Sequence, residues 1–135
     1  MRTRTSATPR ALTALLITAA LGACSSPEKQ LEQSDKKIEG LRATAQTIGQ
    51  AWLKGEVSER YARAALQQTL QLLDKERATL TASPRLLLDP RGASVSRDAE
   101  HLSRVLAALI DDAHHGDDAS ARRHLADVAG SRGSP

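Results

Sequence analysis

VSRDAEHLSRVLAALIDDA, residues 95–113, decides the fold. Val95, Ala99, Leu102, Leu106, Leu109 and Ala113 stand 4, 3, 4, 3 and 4 residues apart, and Val105 and Ile110 widen the stripe. That spacing places them on one face of an α-helix. A half-buried strand would alternate apolar and polar residues instead, and no such alternation occurs along the chain. Ser94 or Ser96 is expected to cap this helix, with Asp98 and Glu100 suiting the positive end of its dipole.

The same pattern extends outward in both directions. Upstream, Ser58 caps a second helix in which Ala62, Ala65, Leu66, Leu70, Leu72, Leu73 and Leu80 form a broad stripe. Pro84 ends it, because the residue before a proline avoids helical geometry. Before it, Glu28 to Leu53 carries Leu31, Ile38, Ala45 and Trp52 seven apart, with Ser34, Leu41 and Ile48 between. This is an a/d seam of about three heptads. Gly55 closes that segment, and the short break to Val57 predicts a hairpin of antiparallel helices, with Trp52 and Tyr61 packed together at its end. Ser83 to Ala93 (SPRLLLDPRGA) reads as a loop whose Leu86, Leu87 and Leu88 cover the open end of the bundle or form an exposed contact patch. Downstream, Asp117 or Asp118 caps a short helix from about Ala119 to Ala129, stopped by Gly130. Its large apolar residues are Leu125 and Val128, so it lies on the others as a lid. The predicted fold is all-α: a small antiparallel helical bundle of three long helices and a short C-terminal one over residues 28–130, followed by a disordered tail at 131–135.

Ahead of the bundle, Met1 to Arg10 carries Arg2, Arg4 and Arg10, and Ala11 to Leu21 (ALTALLITAAL) is apolar. A membrane-spanning helix takes about 20 apolar residues, so this run is too short to cross by itself. A basic head, a short apolar run and small residues after it read as a secretory signal. Leu21-Gly22-Ala23-Cys24 at its end resembles the lipobox of bacterial lipoproteins. The resemblance covers residues 1–24. It implies that Cys24 Sγ receives a diacylglyceryl group, that a signal peptidase cuts between Ala23 and Cys24, and that the new amino terminus is acylated as well. Residues 1–23 are then a cleaved signal and 24–27 a short lipidated tether. One acyl chain holds a protein marginally and two hold it stably. Ser25, where an aspartate would favour inner-membrane retention, points to the outer membrane facing the periplasm in a cell that has one.

Composition narrows the functions open to the mature part. Three of the 19 Lys and Arg lie before residue 11, and the remaining 16 balance 16 Asp and Glu. The net charge of +3 thus belongs to the N-terminal segment, and the body lacks the basic surplus of a nucleic-acid-binding domain. One Cys, one Trp, one Tyr and no Phe exclude a disulfide scaffold and an aromatic stacking platform. G-x-S-x-G, H-E-x-x-H, P-loop and G-x-G-x-x-G motifs do not occur.

One cluster carries chemistry. Asp111-Asp112-Ala113-His114-His115-Gly116-Asp117-Asp118 combines imidazoles and carboxylates, the donors of zinc, nickel and copper sites. Asp111 and His115 share a helix face, with Asp118 and His114 nearby in sequence, and His124 can join if the last helix folds back. Capping explains much of the cluster without a metal: His114 and His115 suit a helix C-terminus, and Asp117 and Asp118 suit the next N-terminus. Asp111 and Asp112 are left without a role. The sequence therefore predicts an envelope lipoprotein held on the membrane through Cys24, non-catalytic and free of cofactors, acting as a scaffold or adaptor for another envelope protein. Its contact surface is expected on the polar half of the first helix or at Leu86–Leu88. Two rival readings are a periplasmic metal-binding module built on Asp111, His114, His115 and Asp118, and a coiled-coil lipoprotein that self-associates through Leu31, Ile38, Leu41 and Ile48.

Overall fold

Ser26 and Pro27 start the first helix, the serine Oγ accepting from the Lys29 amide and the proline filling a position that needs no donor. The computed structural model describes residues 26–130. They form α1 (Pro27–Leu53), α2 (Glu59–Thr81), α3 (Pro84–Leu88), α4 (Pro90–His115) and α5 (Asp118–Gly130), with no strand among the described residues. α1 packs on α2, α2 on α4, α4 on α5, and α5 returns to α1, so every neighbour in the ring is antiparallel. α1 and α4 also touch across the diagonal. The all-α antiparallel bundle expected from the apolar spacing is the architecture found.

The helices differ in length, and this gives the bundle two unlike halves. α1 has 27 residues and α4 has 26, each about 40 Å long at 1.5 Å per residue. α5 has 13, so it descends from the top only about halfway. The lower half is a three-helix bundle of α1, α2 and α4 closed underneath by α3. Large side chains fill it: Leu31, Ile38, Leu73, Leu80 and Leu86 are all buried. The upper half has four helices, and small residues let them approach: Ala45, Gly49, Ala62, Ala113 and Ala121 are buried there beside Leu66, Leu106 and Leu109. Burying each leucine contributes about 1.5–3 kcal/mol.

Several local expectations are revised. Ser83–Ala93 is helical for most of its length: α3 occupies Pro84–Leu88 and α4 begins at Pro90. Asp89, not Ser94 or Ser96, caps α4, its Oδ1 accepting from the Arg91 amide at 2.9 Å. Only Leu86 covers the bundle end, at 4% exposure, whereas Leu87 is 36% and Leu88 85% exposed. Trp52 lies in the core but Tyr61 is exposed, because Tyr61 starts α2 on its outer side. The α1 seam also drifts. Its buried positions run Leu31, Ser34, Ile38, Arg42, Ala45, Gly49 and Trp52, with Leu41 and Ile48 half-buried beside them. A straight helix repeats every 3.6 residues, so Leu31, Ile38, Ala45 and Trp52 stay buried seven apart while the positions between them move on by one, to Arg42 and Gly49 in place of Leu41 and Ile48.

Candidate functional site

Cys24 and Ala23, the lipid-attachment and cleavage positions of the lipobox, lie outside the described residues. The described part bears on them at one point: α1 begins at Pro27, with Ser26 as its cap. Between Cys24 and the rigid body only Ser25 intervenes.

The Asp/His cluster sits at the top of the bundle, where α4 ends and α5 begins, and its members point to separate partners. Gly116 ends α4 in the left-handed conformation, its amide donating to the Asp112 carbonyl. His114 Nδ1 accepts from the Arg63 guanidinium of α2 at 2.7 Å. His115 Nδ1 donates to the Asp111 carbonyl at 2.9 Å, with the Asp111 carboxylate 3.4 Å away. The two rings stand edge to face, centroids 5.1 Å apart. Asp117 caps α5: its carboxylate accepts from the Ser120 amide at 3.0 Å and the Ser120 hydroxyl at 2.9 Å. Those two hydrogen bonds hold the Asp117 carboxyl below the ordinary aspartate value, with the Arg123 charge adding to the effect. Asp118 is exposed in the first turn of α5. Among the described residues no three His, Cys, Asp or Glu side chains converge on a point that would hold a metal ion.

Asp111 and Asp112, unassigned from sequence, now have roles. Asp111 pairs with His115 one turn on. Asp112 is buried and accepts from His124 Nδ1 at 2.6 Å, because α5 does fold back onto α4. This charge-assisted contact, Leu125 and Val128 hold the short helix down.

Two further buried polar contacts lie away from this cluster. Arg42 is 2% exposed. Its Nη1 donates to the Val128 carbonyl at 3.0 Å and its Nε to Glu39 at 3.2 Å. Arg42 thus places a cation at the C-terminal carbonyls of α5, where the helix dipole is negative. In the lower half the Ser34 hydroxyl donates to buried Glu76 at 2.6 Å, and Lys37 reaches the other Glu76 oxygen from the surface at 3.3 Å. Every buried side-chain nitrogen and oxygen among the described residues has a hydrogen-bond partner. A surface depression of about 520 Å³ is an open groove between α2 and α4 that runs past Arg63, Gln67, Ile110 and His114. The signal for Arg42 is positional: it stands where the 3.6-residue period requires a core residue.

The chain matches no family model, no curated protein and no solved structure.

Proposed function

We propose that this chain is a bacterial envelope lipoprotein, anchored through acyl chains on Cys24, whose helical body acts without catalysis as a scaffold or adaptor for another envelope protein. The observation that carries the reading is the placement of the one cysteine, directly after Leu21-Gly22-Ala23 at the end of the apolar run and two residues before the cap of α1. No described helix is long and apolar enough to cross a membrane, so a lipid is the attachment this reading requires. The buried polar groups support a binding rather than a chemical role, since Ser34, Glu76, Arg42, Asp112 and His124 are all engaged in holding helices together.

The partner surface is the outer side of the bundle. Leu31 and Ile38 are buried against the chain's own helices, whereas Tyr61 and Leu72 are exposed. They lie 11 residues apart, about three turns, on one side of α2. Between them Ala64, Ala65, Gln67, Gln68 and Gln71 are uncharged, a surface that is inexpensive to dry on association.

Metabolic labelling with an alkyne fatty acid in a bacterial host tests the anchor. The wild-type chain takes up label and the Cys24→Ala variant does not; an unlabelled wild type, or equal label in both, contradicts the anchor. A photo-crosslinking residue at Leu72 tests the adaptor role. A discrete adduct with a second envelope protein is expected, and adducts with lipid or with copies of this chain alone contradict it.

A further inference from the structure

The base of the bundle carries the most exposed leucine of the described residues, and the fold puts it there deliberately in the physical sense that its neighbours hold it out. Pro84 and Pro90 bracket α3, which makes it a separate element. Leu86 is fixed in the core beneath α1, α2 and α4, and Gly92 in the first turn of α4 packs on the Leu86 backbone so tightly that an added Cβ would lie 1.7 Å from its carbonyl oxygen. With Leu86 and the Leu86–Gly92 contact set, Leu87 and Leu88 point away from the core at 36% and 85% exposure. Single exposed leucines are ordinary on protein surfaces and carry nothing alone. The deciding fact is which end this is.

α1 starts at the same end. Pro27 and Gln30 line one groove with Pro84 and Leu86. Two residue steps separate Cys24 from Ser26, and extended chain spans at most about 3.6 Å per step, roughly 7 Å in all. Each polar headgroup layer of a bilayer is about 5–8 Å thick, the difference between a full thickness of 40–45 Å and a hydrocarbon core of 30 Å shared between two sides. A thioether on a glyceryl group lies in that layer. The tether therefore cannot lift the base of the bundle clear of it.

We infer that the base is a second membrane contact: Leu87 and Leu88 insert into the headgroup–acyl boundary of the leaflet that holds the lipidated Cys24, and the bundle stands upright on it. The occupant of this apolar end is the bilayer. Arg85 in α3, Arg91 in the first turn of α4 and Lys29 in the first turn of α1 belong to the same end, and long basic side chains can lay their stems along the acyl boundary while the charges stay among the headgroups. Glu28 and Asp89 belong to that end too, so attraction to anionic lipid is secondary to apolar insertion. The four-helix top, with its exposed Asp and His side chains, then faces away from the membrane.

This inference rests on the lipoprotein reading, and one preparation separates the two. Full-length protein, processed and lipidated in a bacterial host, is placed in phosphatidylethanolamine–phosphatidylglycerol vesicles whose acyl chains carry bromine quenchers. Leu88→Cys and Tyr61→Cys variants each receive a thiol-reactive fluorophore, Tyr61 serving as the exposed reference at the far end. A wild-type chain that takes up fluorophore has a free Cys24 thiol, which overturns the lipoprotein reading and this inference with it. With Cys24 blocked, quenching at position 88 is expected to be several-fold above that at position 61. Equal quenching at the two positions in vesicle-bound protein overturns the upright contact and leaves the anchor standing. Unchanged melting of the Leu88→Cys variant establishes that the fold is intact, as the exposure of Leu88 requires.

Discussion

The two halves of the bundle solve one problem in opposite ways. Below, three helices leave a wide interior that leucine and isoleucine fill, and a five-residue helix closes the end with one further leucine. Above, four helices meet around alanine and glycine, and polar contacts close the structure: Arg42 to the Val128 carbonyl, His124 to Asp112, Asp117 to the α5 amides. Both halves remove large apolar side chains from water, Trp52, Leu66, Leu106 and Leu109 above as well as the leucines below, but they are closed differently: the lower end by Leu86 of α3, the short α5 above by directed bonds. Loss of Leu86 should therefore open the base, and loss of a single polar side chain should release α5 above without unfolding the rest.

The largest expected effect sits at the base. Leu86→Ala opens a cavity under three helices and should cost about 2–5 kcal/mol of unfolding free energy in urea melts. Leu88→Ser, two residues on, should stay within about 0.5 kcal/mol of wild type. Similar costs for the two would remove the distinction between a buried and a presented leucine. Next is Arg42→Ala, which takes a charged donor from the end of α5 and should cost about 1.5–3 kcal/mol. Hydrogen exchange gives the sharper readout: protection falls at Leu125–Val128 while α2 keeps its own, and uniform loss across the chain would contradict separable closure of the upper half.

Two glycines sharpen the contrast further. At Gly92 an added methyl meets backbone, the Leu86 carbonyl, and Gly92→Ala should destabilise by about 1–3 kcal/mol. At Gly49 the methyl meets the end of the Leu125 side chain, which can rotate, and alanine gains about 1 kcal/mol of helix propensity. Gly49→Ala should therefore melt within a degree or two of wild type. A Gly49 variant worse than the Gly92 variant would mean that α5 is the rigid element and the base the soft one.

Much of this was legible in the sequence, for a reason visible residue by residue. α2 and α4 declare themselves because their leucines recur at helical spacing over several turns. α3 does not, since five residues are too few to display a period, and Pro84-Arg85-Leu86-Leu87-Leu88 looks the same in a loop. The first turn of α4 is hidden likewise, Arg91, Gly92 and Ala93 offering no apolar spacing. Arg42 was invisible by type: a guanidinium enters a core only where carbonyls await it, and the Val128 carbonyl comes from a helix 86 residues away. The Asp/His run was legible as chemistry but not as geometry. Whether Asp111, His114, His115 and Asp118 converge depends on how α4 ends and α5 begins around Gly116: His114 goes to Arg63, His115 to Asp111, and Asp118 stays exposed.

The smallest expected effect belongs to the crown. Asp117 has a lowered carboxyl pKa because the Ser120 amide and hydroxyl bind its charged form, so its contribution is fully present above the ordinary value of 3.8 and disappears as pH falls through the lower folded-state value. Asparagine caps helices without titrating. The melting difference between wild type and Asp117→Asn should hence be constant near neutrality and shift against the wild type in acid. A difference independent of pH down to full protonation would show that the carboxylate charge contributes nothing to the cap. At the opposite end of the bundle the Glu32–Lys36 pair on α1, exposed on both sides, lowers the Glu32 pKa and raises that of Lys36 through their mutual hydrogen bond and charge, but screening leaves it without weight in the fold.

The proposed orientation of the bundle depends on the proposed anchor at Cys24. Mass spectrometry of the N-terminal peptide, from protein extracted out of bacterial membranes, addresses that tie without intermediaries. The expected peptide begins at Cys24 and carries diacylglyceryl mass on its sulfur. A peptide beginning at Met1, or one containing Cys24 as a free thiol, would contradict it.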